Sequence, residues 1–312
     1  MPRNPSYGVT LVLLGAGLFI VNAGVSRVAL RAGVDASVLT TVRVTGTLAV
    51  LLLIAALVRR EALNPPRGRL AVLVVAHGLV GVAALQWTYF VAIERLPVGM
   101  ALLLEYQAPI LVALWARFVQ HEHVHSRMWL GLGLALAGLA AATEIWNGLQ
   151  FDGLGVVAGL AAAVCFAAYF LIGEVGVNAI DPLRVIIWSF AVAAVSLNLV
   201  APVTRVGDLG VEANLLGRLG EHSVALWIVL AWVVVLGTVI PFASELLALQ
   251  HLRATTVTTI AMLEPVGAVG LGWLWFRESL GVVALIGCLA VVAGILLAQT
   301  ARRTAVLEPI AT

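Results

Sequence analysis

The chain has 312 residues, of which 62% are hydrophobic and 11% are charged, and its formal net charge is +2. Its mean hydropathy is +1.07. A soluble domain has about 25% charged and roughly 45–50% apolar residues, and no soluble fold can hide this much apolar surface from water. The composition excludes a soluble enzyme, a disordered chain and a nucleic-acid-binding protein. It predicts a multi-spanning protein whose partner is the lipid bilayer.

Apolar runs of about 20 residues, long enough to cross a bilayer as a helix, recur along the whole chain. Gly, Pro, Asn and Asp residues separate them. The pattern predicts an all-α polytopic membrane protein with ten transmembrane helices. The first is expected to be a retained helix and not a signal peptide, because further spans follow it. The predicted spans are Tyr7–Ala29, Ala36–Val58, Leu70–Ile93, Pro97–Phe118, Arg127–Trp146, Gly153–Glu174, Leu183–Thr204, Val224–Leu249, Ala254–Trp275 and Leu280–Gln299.

All 18 basic residues are arginine. A Walker A phosphate loop and a Schiff base to pyridoxal phosphate both need a lysine, so neither is expected, and no cofactor is predicted. If the N-terminus is cytoplasmic, eleven arginines lie on the cytoplasmic side and six on the other. Positive charge concentrates in cytoplasmic loops, so both termini are predicted to be cytoplasmic.

The two halves of the chain repeat each other. Residues 92–142 align with residues 248–298 without a gap, and the alignment matches two mid-helix prolines and two loop glutamates. We expect two five-helix repeats at 1–150 and 151–301, followed by a short cytoplasmic tail at 302–312. Because five is odd, the second repeat is inverted, an arrangement typical of secondary transporters that hold substrate near the membrane midplane. The matched pairs are Ala92–Ala248, Leu96–Leu252, Pro109–Pro265, Glu122–Glu278, Gly131–Gly287, Ala137–Ala293, Gly138–Gly294 and Ala142–Ala298.

Two glutamates lie within predicted spans, where an ionisable side chain is rare and usually functional. Glu105 and Glu264 each precede a matched proline, Pro109 or Pro265. Proline supplies no N–H and clashes with the carbonyl four residues back, so both helices are predicted to be interrupted there. Interrupted helices at corresponding positions indicate a transporter's binding site. We therefore favour substrate binding or coupling for both glutamates over an alternative in which the prolines only kink the helices.

Arg43 and Glu105 both lie roughly 12 Å from the outer end of their helices, taking 1.5 Å per residue. At that depth they can pair. A permanent ion pair is structural, whereas a pair that opens can hold a zwitterion, with the arginine on the carboxylate and the glutamate on the ammonium. For Arg43 we favour the structural alternative.

Further polar and aromatic groups in the spans are candidates for the wall of a binding cavity. His77 has apolar neighbours and is expected to be a hydrogen-bonded packing residue rather than a proton relay. Glu245 lies near the cytoplasmic end of its helix and is a further candidate for binding or coupling. The remaining candidates are Asn22, Trp87, Tyr89, Tyr106, Gln107 and Tyr169.

The run His121-Glu122-His123-Val124-His125 has the alternating imidazoles of a metal cluster. Glu122 matches Glu278, however, and Glu278 has no histidine neighbours, so the glutamate is a feature of the repeat. We expect no metal there. This loop is also the only place where a membrane-embedded enzyme, the alternative of another class, would find its groups.

Three runs of residues are informative about the family. They are Leu103-Leu104-Glu105-Tyr106-Gln107-Ala108-Pro109, Pro241-Phe242-Ala243-Ser244-Glu245, and Met262-Leu263-Glu264-Pro265 with Arg277-Glu278-Ser279-Leu280. They resemble the EamA branch of the drug/metabolite transporter superfamily, and within it the bacterial threonine/homoserine exporters. Tyr106 stands where those exporters have phenylalanine, while Arg43, Glu105, Glu245 and Glu264 stand where they also have Arg or Glu.

The resemblance implies a bacterial inner-membrane carrier that exports small metabolites, either by exchange with protons or by facilitated flow. We expect amino acids such as threonine or homoserine to be the substrate, alternating access to be the mechanism, and the proton to be the coupling ion. A broader exporter of drugs, purines or aromatic compounds remains the alternative within transport, with Trp87, Tyr89 and Tyr106 as stacking surfaces.

Overall fold

The computed structural model describes residues 4–96, 98–148 and 152–305. The predicted start of the fourth span at Pro97, the predicted boundary between the repeats at 150 and most of the predicted tail lie outside these residues.

Ten helices carry the fold of the described residues. Two of them are interrupted: α4 consists of Val98–Glu105 and Ala108–Phe118, and α9 consists of Ala254–Ala261 and Leu263–Phe276. The other eight are α1 (Pro5–Arg31), α2 (Ala36–Val58), α3 (Arg69–Arg95), α5 (Ser126–Ala142), α6 (Gly153–Ala179), α7 (Pro182–Val200), α8 (Leu226–Ala248) and α10 (Val282–Ala305).

In the described part of the chain, nine helices are long and apolar enough to cross a membrane, and α5 is a shorter apolar helix. The predicted fold class, a helical polytopic membrane protein, is confirmed. The prediction that the fifth span reaches Trp146 is wrong. Its helix ends at Ala142 because Glu144 adopts a left-handed φ of 44° and the Thr143 hydroxyl bonds back to the Leu139 carbonyl at 2.8 Å.

The loop between α7 and α8 contains a small antiparallel hairpin that the sequence analysis does not predict. Its strands are β1 (Glu212–Asn214) and β2 (Ser223–Ala225). Trp275 of α9 donates through its indole N–H to the Leu215 carbonyl at 2.9 Å. The hairpin is therefore attached to the end of α9.

The third helix of each half contains a π-helical turn, at His77–Ala84 in α3 and at Val235–Val239 in α8. If the repeat alignment is extended without a gap, the first turn falls on residues 233–240, which include the second. Short π-helical turns occur frequently at functional sites. The two halves thus share both an interrupted fourth helix and an irregular third helix.

Helices α5 and α10 approach each other along glycines. A Cβ atom added to Gly138 would lie 2.7 Å from the Gly287 carbonyl oxygen, and one added to Gly131 would lie 2.5 Å from that of Gly294. Small residues let membrane helices approach this closely. Because Gly131 and Gly138 match Gly287 and Gly294 in the repeat, the crossed contacts are those expected of inverted halves related by a pseudo-two-fold axis.

Ion pairs join the two halves at both ends of the bundle. At the end where α1 begins, termed the proximal end, Glu122 pairs with Arg253, and Arg59 pairs with Asp181. At the opposite or distal end, Arg27 lies 2.6 Å from Glu278. The matched glutamates Glu122 and Glu278 therefore each bind an arginine of the other half, at opposite ends of the molecule.

Candidate functional site

The interruptions in α4 and α9 bring two site residues together in the interior. Tyr106 follows directly after the first segment of α4. Its hydroxyl donates to Glu264 Oε2 at 3.0 Å. Around this break Gln107 N–H bonds to the Leu104 carbonyl, three residues back, while Pro109 has no N–H to offer the Glu105 carbonyl. The break in α4 thus places a polar pair of side chains inside an otherwise apolar bundle.

Glu245 of α8 is the third member of this group. It is 2% exposed, and its carboxyl group lies near that of Glu264, with which it interacts electrostatically. Oε1 of each of these two glutamates is buried without a hydrogen-bond partner among the described residues. Buried polar atoms are rarely left unbonded in proteins, so the pair has unused capacity to bind a proton or an ammonium group.

Arg43 does not form the ion pair expected of it. The described residues contain no Arg43–carboxylate contact within 4.0 Å; instead Arg43 Nε donates to the Thr238 hydroxyl at 3.3 Å. Thr238 in turn donates to the Val233 carbonyl, five residues back, at 2.7 Å within the π-helical turn of α8. The prediction of a structural ion pair with Glu105 is therefore wrong. Arg43 keeps N–H groups that bond to no carboxylate of the described residues.

Tyr89 and Glu105 lie in the same interior region as Arg43 and Glu264. Tyr89 is within electrostatic range of both Arg43 and Glu105, and Glu105 is within range of Glu264. Arg43, Tyr89, Glu105 and Glu264 all keep intermediate accessibility although the protein surrounds them. Partly accessible polar side chains inside a bundle are groups that a small substrate can contact.

Asn22 of α1 lies beside this region. It is 4% exposed, and its Oδ1 atom is buried without a partner. A Cβ atom added to Gly237 would fall on Asn22 Oδ1, so the glycine is what allows α1 to approach the π-helical turn of α8. Asn22 is among the residues predicted from the sequence. Gly237 and Thr238 are not, because their only signal is their place in an apolar helix.

The remaining candidates, Trp87, Gln107 and Tyr169, differ in where their side chains lie. Trp87 is 40% exposed, which is more typical of a membrane-facing side chain than of a closed site. The Gln107 amide donates back to the Leu103 carbonyl of its own helix at 3.2 Å. Tyr169 is 1% exposed and within electrostatic range of Glu245.

His77 is fully hydrogen-bonded in the first π-helical turn. Its Nε2 atom lies 3.1 Å from the Tyr169 carbonyl and its Nδ1 atom 2.8 Å from the Ser189 hydroxyl. A carbonyl only accepts, so Nε2 carries the hydrogen and Nδ1 accepts from the serine. The ring also stacks on Tyr169 with centroids 4.9 Å apart. The neutral imidazole thus has a partner on each nitrogen.

An aromatic cluster that the sequence analysis missed centres on Phe242 of α8. Its ring meets Phe19, Tyr169 and Phe190 edge-on, with centroid distances of 5.3, 5.6 and 5.4 Å. Edge-on contacts are a preferred geometry for aromatic pairs. The cluster joins α1, α6, α7 and α8 one helical turn from Glu245.

Side chains of the histidine-rich loop contact one another and the other half of the chain. Glu122 is held by Arg253, and the His123 and His125 rings contact each other with centroids 5.0 Å apart. Within the described residues no three or more His, Cys, Asp or Glu side chains gather to hold a metal ion.

Inverted halves whose broken helices meet at buried carboxyl groups define a membrane transporter. The EamA-like transporter family model matches residues 6–143 and again residues 153–300. The chain therefore belongs to the EamA-like transporter family, and it is a multi-pass membrane protein. The family indicates transport rather than enzymatic catalysis.

Characterised and uncharacterised transporters are among the similar proteins. The threonine/homoserine exporter RhtA of Salmonella typhimurium (strain LT2) is 27% identical over 218 residues, covering 70% of this chain and 67% of the exporter. An uncharacterized transporter of Archaeoglobus fulgidus is 26% identical over 227 residues, covering 70% of this chain and 75% of its own. A solved crystal structure superposes with a TM-score of 0.75 at 19% identity, covering 96% and 99% of the two chains; this likeness supports the fold alone.

Proposed function

We propose that this chain is a secondary exporter of small amino acids, with threonine and homoserine as substrates, that exchanges them for protons across a bacterial inner membrane. The similarity to the threonine/homoserine exporter supports the substrate class. The observation that carries the proposal is the carboxyl pair Glu245–Glu264, with Tyr106 bonded to Glu264, where the broken helices meet.

The carboxyl pair suits proton exchange because of its hydrogen-bonding capacity. An ionised carboxylate only accepts hydrogen bonds, so Glu245 and Glu264 can bond to each other only when they share a proton. Two ionised carboxylates that lie close together repel each other strongly in a medium of low dielectric. Either a proton or a substrate ammonium relieves that repulsion. One therefore displaces the other, which is the requirement for antiport.

Arg43 supplies the complementary group for a zwitterion. A guanidinium binds a carboxylate through two parallel hydrogen bonds, and only Nε of Arg43 has a partner at Thr238. A substrate ammonium on the carboxyl pair and a substrate carboxylate on Arg43 then place the side chain near Tyr89. The side-chain hydroxyl of threonine or homoserine can then form a hydrogen bond with the phenol of Tyr89.

Alternating access follows from the inverted halves. We place the proximal end in the cytoplasm, in accord with the arginine distribution of the loops. The two matched pairs, Glu122–Arg253 at the proximal end and Glu278–Arg27 at the distal end, would then open in turn as the halves rock about the central site.

The test is efflux of radiolabelled threonine and homoserine from cells that express the chain, with the proton gradient intact and collapsed. Gradient-dependent efflux of either amino acid supports the proposal. Glu264→Gln should abolish it, whereas Glu94→Gln, the same change at an exposed position of α3, should not. Efflux of purines or aromatic drugs instead, by protein present in the membrane, would favour the broader exporter.

A further inference from the structure

A cavity of about 570 Å³, lined by both polar and apolar residues, lies at the proximal end, apart from the carboxyl pair. Its walls come from the start of α1, the ends of α2, α6 and α8, and the start of α7. This volume is within the range of ligand-binding pockets. Its polar lining residues are Tyr7, Arg59, Asn178, Asp181, Gln250 and His251.

The two charged residues of the cavity form an ion pair between the two halves. Arg59 Nη1 lies 2.5 Å from Asp181 Oδ2, while Asp181 Oδ1 accepts from the Leu183 N–H at 2.9 Å and caps α7. The side chains of Arg59 and Asp181 are 61% and 28% exposed. Solvent-exposed ion pairs contribute little stability, so a ligand that carries both charges can replace each partner with its own group.

The neutral polar groups add acceptors for an ammonium group. The Asn178 and Gln250 amides donate to the backbone carbonyls of Glu174 and Val177 at 2.6 and 3.2 Å. Their side-chain oxygens make no hydrogen bond to the described residues. An amide oxygen is a good acceptor for N–H donors, and here two of them lie in the same cavity as the Asp181 carboxylate.

The inner wall of the cavity lies beside the central site. Ala243 and Leu246 of α8 line it, and Glu245 stands between them in the chain, directed instead towards α1, where a Cβ on Gly15 would lie 3.2 Å from Glu245 Cγ. Phe242, which precedes Ala243 in the chain, packs against Phe19 and Phe190. A molecule in the cavity thus contacts the helix that carries Glu245.

We propose that this cavity is a second substrate site, in which Arg59 binds the carboxylate and Asp181 the ammonium of an amino acid before it passes to the carboxyl pair. The inference rests on the proposed amino-acid export. The site differs from the central one in its residues, its exposure and its position at the proximal end.

Protection of a cysteine tests the site. Ala243 is small and partly accessible between buried neighbours, so Ala243→Cys reports on the cavity when a membrane-impermeant maleimide is added to inside-out vesicles. Threonine at saturating concentration should slow its labelling. Gln120→Cys, at an exposed position of the same end outside the cavity, should label at an unchanged rate. The protein with only Cys165 and Cys288 gives the background.

The charged pair and the central site are then varied separately. Arg59→Gln and Asp181→Asn should each raise the half-protecting threonine concentration about tenfold, as expected from loss of one charge-assisted bond; the asparagine can still cap α7. Glu264→Gln should stop export but keep the protection.

Three results would overturn the inference. If threonine is exported but does not protect Ala243→Cys, the second site is wrong while amino-acid export stands. If Glu264→Gln removes the protection, threonine acts from the central site alone. If the unmodified chain exports neither threonine nor homoserine, the proposed function fails and the second site fails with it.

Discussion

Substituting Gly138 by alanine tests the close contact between α5 and α10. The added methyl would lie 2.6 Å from the Val291 nitrogen and 2.7 Å from the Gly287 carbonyl oxygen. Both are backbone atoms of a helix, which cannot move away as a flexible side chain can. Overpacking of this kind destabilises a protein by about 1–3 kcal/mol. We therefore expect Gly138→Ala to lower the free energy of unfolding by that amount.

Gly133 of the same helix is the matched control, because a Cβ atom there meets no atom within 4 Å. Alanine is favoured over glycine within a helix by roughly 0.5–1 kcal/mol, so Gly133→Ala should be neutral or slightly stabilising. Gly294→Ala should resemble Gly138→Ala, since its methyl would lie 2.5 Å from the Gly131 carbonyl oxygen. The assay is equilibrium unfolding in mixed micelles containing SDS, followed by circular dichroism. If Gly133→Ala and Gly138→Ala change the free energy of unfolding equally, the close packing of α5 against α10 is refuted.

Three further substitutions test single contacts. Tyr106→Phe removes the 3.0 Å bond to Glu264 and should slow threonine efflux about tenfold; an unchanged initial rate contradicts this. Arg43→Lys keeps the charge but loses the planar donors, so the apparent affinity for threonine should fall about tenfold, and equal affinity would exclude carboxylate binding. The Gly155 N–H, bonded at the start of α6, holds the pKa of Asp152 below its usual 3.8. Asp152→Ala should therefore lower the melting temperature at pH 7 more than at a pH below the lowered pKa of the folded protein, where the carboxyl is protonated; an equal loss at both pH values would argue against it.

The interrupted helices follow from local chemistry that a sequence displays. Proline removes one N–H wherever it stands, and the structure breaks α4 and α9 within a few residues of Pro109 and Pro265. The partners of the site residues do not follow in this way. Glu245 comes near Glu264 because α8 and α9 both pack against α1. Arg43 turns to Thr238 because the π-helical turn presents that hydroxyl.

Three further features that were predicted wrongly or not predicted from the sequence also have specific physical causes. Apolar Ile145 and Trp146 extend the hydropathy of the fifth span, but the left-handed backbone at Glu144 ends the helix before them. The π-helical turns at His77–Ala84 and Val235–Val239 leave no mark on an apolar sequence, because their residues are as hydrophobic as those of an α-helix. The Arg59–Asp181 pair joins loops that are far apart in the chain, and only the folded bundle brings them together.

The central claim is that a proton and an amino acid exchange at the Glu245–Glu264 pair. It is tested most directly by purifying the chain, reconstituting it in liposomes that enclose a pH-sensitive dye, and adding threonine on one side. The account predicts proton movement opposite to that of threonine, abolished by Glu264→Gln and retained by Glu94→Gln. Threonine transport that moves no protons, or that persists unchanged in Glu264→Gln, would contradict the account.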